Sequence, residues 1–178
     1  MSARTAALLV LSAKGISTMD IRPLDPADLP ALLDLAVTVF GPFFEDSYRP
    51  HVGETVFANR HGDWREDYRR HLARLHAPES GKFAAVARAD GQIAGFTGWI
   101  LQTAEQHGEI DILAVSPAHR RLGIGATLAE HAMAHMRAAG AEVISISTGG
   151  DDFHAPARAL YESLGFTPFP NVSYTKAV

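Results

Sequence analysis

The sequence predicts an α+β fold, in which helices flank a mixed, mostly antiparallel central sheet. Two observations lead to this fold class. Strand composition dominates from Lys82 to Val115, and beyond it helical and strand patterns alternate towards the C-terminus. The dipeptide Asp90-Gly91 separates two of the apolar runs, and such a dipeptide strongly favours a two-residue turn between antiparallel strands.

Length and composition predict one domain with a short extension. The chain has 178 residues, of which 47% are hydrophobic, and a chain of this size can bury its own core. A new strand pattern begins at Met19. We therefore expect an N-terminal extension over residues 1–18 and a single domain over residues 19–178, with the chemistry independent of the extension.

Capping signals and apolar spacing predict the individual elements. Asp25-Pro26 supplies an N-cap and a first helical proline, and helical spacing follows as far as Phe40, where Gly41-Pro42 predicts the end of the helix. An amphipathic stripe predicts a second helix over Asp63–His76. Strand composition over Phe166 to Ala177 predicts one or two closing strands.

Composition excludes several classes of site. The chain has no cysteine, which excludes disulfides, thiolate metal centres and a cysteine nucleophile. A net charge of −4 argues against nucleic acid as a partner, and no apolar run approaches the ~20 residues that span a bilayer. His131 and His135 lack a third ligand, so no metal is expected. These features indicate a cytoplasmic protein with no membrane partner.

The segment Ile110–Leu128 carries the most informative pattern. A strand leads through a loop with Gly123 and Gly125 directly into a helix, so backbone amides and the helix N-terminus can converge on an anion such as a pyrophosphate. Arg120 and Arg121 add cationic side chains there. A simple tight turn is the alternative, and neither a Walker A loop nor a dinucleotide fingerprint is present.

Three stretches together resemble the GNAT superfamily of acetyl-CoA-dependent N-acetyltransferases. They are the loop Arg120-Arg121-Leu122-Gly123-Ile124-Gly125-Ala126, the preceding Leu113-Ala114-Val115-Ser116-Pro117, and the later Ala157–Phe166 with its Leu-Tyr and Leu-Gly-Phe pairs. The resemblance implies a GNAT-like acyl-CoA N-acyltransferase fold. It also implies acetyl-CoA as the co-substrate and an acetyl group as the group that is transferred.

The resemblance further implies which residues would bind acetyl-CoA. The loop amides would hold the pyrophosphate beside the two arginines, and the strand end would pair with the pantetheine arm. His154 stands where the family often has an asparagine that bonds this arm. The implied set is Leu113, Ala114, Val115, Arg120, Arg121, Leu122, Gly123, Ile124, Gly125, Ala126 and His154.

Acetyl transfer to an amine requires a base and an acid. An ammonium group with a pKa near ~10.4 must lose a proton before it can attack. Strand alternation places Glu109 and Asp111 together on the cleft side, and Ile110, Ile112 and Ala114 together on the opposite, core side. Either carboxylate could be that base, or both could be solvated edge residues. The resemblance places Tyr161 beside the thioester sulfur as the proton donor; a core aromatic is the alternative. A backbone N–H near Ala114 or Val115 would stabilise the carbonyl oxygen.

These observations predict an N-acetyltransferase that moves an acetyl group from acetyl-CoA to a primary amine of a small molecule or a peptide. A catalytically silent acyl-CoA-binding module of the same fold is the alternative, and so is a phosphate-binding domain unrelated to acetyl-CoA. A homodimer is possible.

Overall fold

The computed structural model describes residues 7–8 and 18–178. Its sheet has six strands that lie side by side in chain order. Every neighbouring pair is antiparallel except the last, which is parallel, and this confirms the predicted mixed sheet. The strands are β1 (Ala7–Leu8), β2 (Met19–Pro23), β3 (Lys82–Ala89), β4 (Gln92–Gln102), β5 (His107–Val115) and β6 (Val143–Ile146).

Helices cover both faces of this sheet. The first helix and the fourth pack on one face, around Leu32, Leu72 and Phe96, and the long fifth helix packs on the other, where Met136 meets Ile110. The helices are α1 (Leu29–Pro42), α2 (Arg49–Val52), α3 (Glu54–His61), α4 (Trp64–Leu72), α5 (Ile124–Ala138) and α6 (Ala155–Ser163).

The turn and cap predictions hold where the local chemistry is strong. Asp25 accepts a hydrogen bond from the Ala27 N–H at 2.8 Å and begins a short 3-10 turn that leads into α1. Asp90 and Gly91 both have positive φ, at 47° and 85°, as a two-residue turn between β3 and β4 requires. Gly165, also with positive φ, follows the end of α6.

The predicted stop at Gly41-Pro42 is wrong. Pro42 lies inside α1, and the chain continues through a π-helical turn, Phe43–Tyr48, into α2. A π turn changes the hydrogen-bond spacing, so the chain can continue beyond the missing proline N–H. Tertiary packing favours this course, because it buries Phe44 against Trp64, whose rings stack at 4.8 Å.

This helical run is also apolar over an unusual length. Pro26–Val52 spans 27 residues, and its 18-residue apolar window has a mean hydropathy of 1.4, which meets a length-and-composition test for a membrane span although no unbroken apolar stretch approaches ~20 residues. Only 22% of this window is buried. One side of α1 packs in the core against the sheet, through Leu32, Ala36 and Val39.

The two ends of the chain differ from simple expectation. Ala7 and Leu8 pair antiparallel with Asp20 and Met19, at the sheet edge farthest from β6. The predicted closing strands are absent, since residues 167–178 form no regular structure and Phe169 is 96% exposed. Prolines at 168 and 170 remove two of the N–H donors that a paired strand would need.

Candidate active site

The sheet opens between β5 and β6. The parallel pairing of these strands ends at Ile110 and Ile146, although β5 continues as far as Val115. At the same point the register of β5 against β4 shifts: Trp99 pairs with Ile110 and Gly98 pairs with Ile112. Asp111 is the residue left over, so it occupies a β-bulge where the two strands separate.

The bulge changes which face each side chain occupies. Ile110 packs among the residues under α5, whereas Ile112 packs on the opposite face with the residues under α1. The prediction that Ile110 and Ile112 share one face is therefore wrong, because an extra residue inverts the strand's alternation. Gly108 and Ile110 both face Met136 of α5. Glu109 lies between them in the strand, so its side chain is on the opposite face, the α4 side.

A cavity of about 540 Å³ occupies the opening between the strands. Its walls come from the α1 and α4 layer, from the bulge on β5, from the end of β6 and from the start of α6. The lining residues are Phe40, Asp67, Tyr68, His71, Ile110, Asp111, Ile112, Leu113, Ile146, Ser147, Thr148, His154, Ala157 and Tyr161. Tyr161, Asp111, Leu113 and His154 from the predicted set therefore meet at one cavity, and Glu109 does not line it.

Asp111 pairs with a residue that sequence patterns did not single out as catalytic. Its Oδ2 lies 3.0 Å from Nε2 of His71, which comes from the last turn of α4. Within residues 18–178, the Nδ1 atom of His71 has no hydrogen-bond partner, so this nitrogen is available to a ligand. Only the position of His71, three residues after Tyr68 in the α4 stripe, could have indicated that it borders the cavity.

Tyr161 is held in place by its helix and by an aromatic neighbour. Its ring meets that of Phe166 edge to face with centroids 6.3 Å apart, and Phe166 N–H donates to the Tyr161 carbonyl. Burial raises the pKa of the Tyr161 hydroxyl above its usual value. This side chain therefore combines a partly buried ring with a hydroxyl that keeps its proton at neutral pH.

The glycine loop ends beside the same cavity. Arg121 and Gly123 take left-handed backbone angles, with φ of 64° and 86°, and α5 begins immediately afterwards at Ile124. Within residues 18–178 no side chain caps this helix, so its first amides are open to a ligand there. The Cβ position of Gly125 lies 3.2 Å from Cδ2 of Leu160, which directly precedes Tyr161.

The free edge of β5 presents backbone groups to the opening. Ser116 N–H donates to the Ala94 carbonyl at 2.8 Å, which sets the antiparallel hydrogen-bonding order along β5. By this order Ala114 turns its backbone groups towards β4, while Leu113 and Val115 turn theirs towards the side where β6 has ended. Of the three residues predicted to pair with the pantetheine arm, Leu113 and Val115 therefore present their backbone groups at the free edge.

His154 sits at the mouth of the cavity. Its Nδ1 lies 2.7 Å from Oδ2 of Asp151, and its ring meets the ring of Phe43 at 4.7 Å. Burial is the largest single influence and would raise the pKa of Asp151, but the hydrogen bond with His154, the charge of His154 and backbone hydrogen bonds together outweigh it, so the pKa is lowered. His154 is therefore fixed by a carboxylate on one side and an aromatic ring on the other.

Three other histidines, His107, His131 and His135, lie on the sheet or on α5. His107 bridges Gln102 and Ser145, at 2.9 Å on each ring nitrogen, and does not line the cavity. His135 Nδ1 accepts a hydrogen bond from the Trp99 indole at 3.1 Å, and burial lowers the pKa of His135. Within the described residues, no three potential metal ligands gather around His131 or elsewhere.

Known proteins share both sequence and fold with this chain. Residues 43–166, more than half of the chain, match the Acetyltransferase (GNAT) family. A mycothiol acetyltransferase from Thermomonospora curvata is 30% identical over 154 residues, which cover 83% of this chain but 50% of that protein. An uncharacterized N-acetyltransferase of Bacillus subtilis is 32% identical over 53% of this chain and 61% of its own length. The chain thus spans about half the length of the mycothiol acetyltransferase.

Solved structures agree with these matches. The crystal structure of an aminoglycoside acetyltransferase from an uncultured soil metagenomic sample has a TM-score of 0.59 and 25% identity, and covers 90% of this chain and 98% of that one. The predicted family and fold are therefore confirmed by the split sheet, by the loop before α5 and by the match over most of the domain. This chain belongs to the GNAT acetyltransferase family.

Proposed function

We propose that this chain is an acetyl-CoA-dependent N-acetyltransferase that acts on a primary amine of a small molecule or a peptide. One observation carries the proposal: Tyr161 and the Asp111–His71 pair line one cavity, and the start of α5 packs against α6 at Leu160, the residue before Tyr161. A domain that only bound acyl-CoA would not need a proton donor and a proton acceptor at the same opening.

The residues present fit a bound acetyl-CoA. The uncapped amides of Ile124 and Gly125 and the cations of Arg120 and Arg121 suit its pyrophosphate, and the free edge at Leu113 and Val115 suits the amides of its pantetheine arm. When bound, acetyl-CoA supplies the acetyl group as an activated thioester. Leu122, Gly123 and Ala126 complete the predicted loop, and His154 can contact the arm from the cavity mouth.

The chain's own groups would move the protons. The Asp111–His71 pair accepts a proton from the ammonium group, which leaves a neutral amine able to attack the acetyl carbon. Tyr161 holds a proton at its hydroxyl, ready for the sulfur as the carbon–sulfur bond breaks. Glu109 stays a predicted base, although Asp111 is better supported because it lines the cavity.

Substitution of Gly125 tests the proposal. Gly125→Val places a branched side chain against Leu160 and among the loop amides, so we expect CoA affinity measured by calorimetry to fall at least tenfold, a loss of about 1.4 kcal/mol. Ala134→Val is the matched control, since it puts the same residue at an exposed position of α5. Unchanged CoA affinity in a folded Gly125→Val protein would contradict the assignment.

Turnover separates the enzyme from a silent binding module. A free-thiol assay with acetyl-CoA and a panel of amines should show amine-dependent release of CoA. CoA binding without release on any amine would favour the binding module. Since the chain has no cysteine and needs no oxidising compartment, we also propose that it acts in the cytoplasm, which cell fractionation can test.

A further inference from the structure

A second cavity of about 340 Å³ lies beside the first and shares part of its lining. The shared residues are Asp67, His71 and Asp111, so the bulge on β5 and the end of α4 border both spaces. The remaining lining residues are all cations: Arg70, Arg74 and Lys82. We call this second space the cationic groove.

Two of the three cations in the groove are not neutralised within residues 18–178. Arg70 already pairs with Glu66 and Asp67. The Nε of Arg74 donates to a backbone carbonyl at 3.3 Å, but its two terminal nitrogens have no partner among these residues, and the side-chain ammonium of Lys82 forms neither a hydrogen bond nor an ion pair with them. Free cations at one place in a chain with a net charge of −4 favour a ligand of opposite charge.

The fold brings these cations to the acceptor side of the site. Lys82 begins β3, and the strand register aligns it across Ile100 with Glu109, two residues before the bulge. Arg74 lies in the turn that follows α4, three residues beyond His71. The cationic groove therefore lies on one side of the Asp111–His71 pair, and Tyr161 lines the cavity on the other.

We propose that the cationic groove binds an anionic group of the acceptor, and that the preferred acceptors are primary amines that also carry a carboxylate or a phosphate. The ammonium end of such a molecule meets Asp111 and Asp67, and its anionic end meets Arg74 and Lys82. Charge-assisted hydrogen bonds from an arginine and a lysine suit both anions. This inference rests on the proposed function, because it concerns the acceptor of that same site.

Matched pairs of amines test the groove directly. An amino acid against its amide probes the carboxylate, and O-phosphoethanolamine against ethanolamine probes the phosphate. Calorimetry on the CoA-saturated protein should show at least about tenfold tighter binding of the anionic member in one pair or both. The doubly substituted Arg74→Gln/Lys82→Gln protein should lose this preference and bind the uncharged member unchanged. In steady-state kinetics, the double substitution should raise the KM for the anionic amine and leave kcat unchanged.

The control variant changes a cation outside both cavities. Arg60→Gln removes an exposed cation on α3 that lines neither cavity, and it should keep the preference. Equal binding within both pairs, or a preference that survives the double substitution, would overturn the cationic groove. Because binding is measured without turnover, a protein that prefers the anionic amines but never acetylates them would refute the proposed function and leave this inference standing.

Discussion

The two halves of β5 differ in how completely they are paired. His107–Ile110 has a strand on both sides, whereas among the described strands only β4 lies beside Asp111–Val115. In the first half, the His107 ring bonds Gln102 of β4 and Ser145 of β6. The Met136 side chain occupies the space that a side chain at Gly108 would need. In the second half the bulge at Asp111 opens a cavity.

This difference separates stability from chemistry along one strand. Complete pairing buries Ile110, and His107, Gly108 and Glu109 do not line the cavity. Among the described residues, Leu113 and Val115 have no partner strand on the side where β6 has ended, and this free edge would suit the long, amide-bearing co-substrate proposed above. We therefore expect substitutions in the first half to change mainly the free energy of unfolding, and substitutions around the second half to change mainly turnover.

The largest effect is expected at Tyr161, opposite the open half of β5. Tyr161→Phe keeps the ring against Phe166 and removes only the proton donor, so CoA binding should persist while kcat falls by roughly 10²–10⁴. Steady-state kinetics and CoA calorimetry on the same protein measure the two quantities. If the Tyr161→Phe protein kept the wild-type kcat, Tyr161 would serve only in packing.

The next largest effect is expected at Asp111, and Glu109 in the other half of β5 serves as the comparison. Asp111→Asn should lower kcat/KM by about 10² near pH 7, and the deficit should shrink towards pH 9.5, where more of the amine is already neutral. Glu109→Gln, in the fully paired half, should lower it less. If the larger, pH-dependent deficit belongs to Glu109, the base lies outside the cavity wall and the comparison between the halves fails.

The smallest effect is expected from the N-terminal extension. Residues 1–18 meet the sheet at β1, with three strands between it and β5, so their deletion should leave turnover within a few-fold. Thr18 exchanges hydrogen bonds with Asp90 at 3.1 Å in the β3–β4 turn. A deletion of residues 1–17 should therefore have a higher Tm than a deletion of residues 1–18, and complete loss of activity in either soluble protein would show that the extension shapes the site.

Much of the fold could be predicted because its signals are local. The Asp90-Gly91 turn and the glycines at 123 and 165 each require a backbone geometry that few residues adopt, and the Asp25 cap depends on a side chain that bonds a backbone N–H two residues away, so they can be recognised without knowing the tertiary neighbours. The same holds for the loop before α5, whose pattern identified the family. Among candidate site residues, Tyr161 was singled out by the family resemblance of its Leu-Tyr and Leu-Gly-Phe context, and Asp111 by its position on a strand that leads into the glycine loop.

Other features depend on contacts between distant segments, and there the predictions failed. The passage of α1 through Pro42 is favoured by Phe44 stacking on Trp64, twenty residues later in the chain. The bulge at Asp111 exists because β4 and β5 pair out of step, and a one-residue shift inverts every side chain beyond it. His71 reaches Asp111 only after α4 has packed on the sheet.

The sequence by itself determined the family, the order of elements from β3 to α6 and the glycine loop before α5, because each is encoded in residues that are neighbours in the chain. The tertiary structure decided which carboxylate borders the cavity, that a histidine accompanies it, and that Arg74 and Lys82 lie next to both. Those relations depend on strand register and helix packing, which sum many weak contacts between distant residues, and no short stretch of sequence contains that sum.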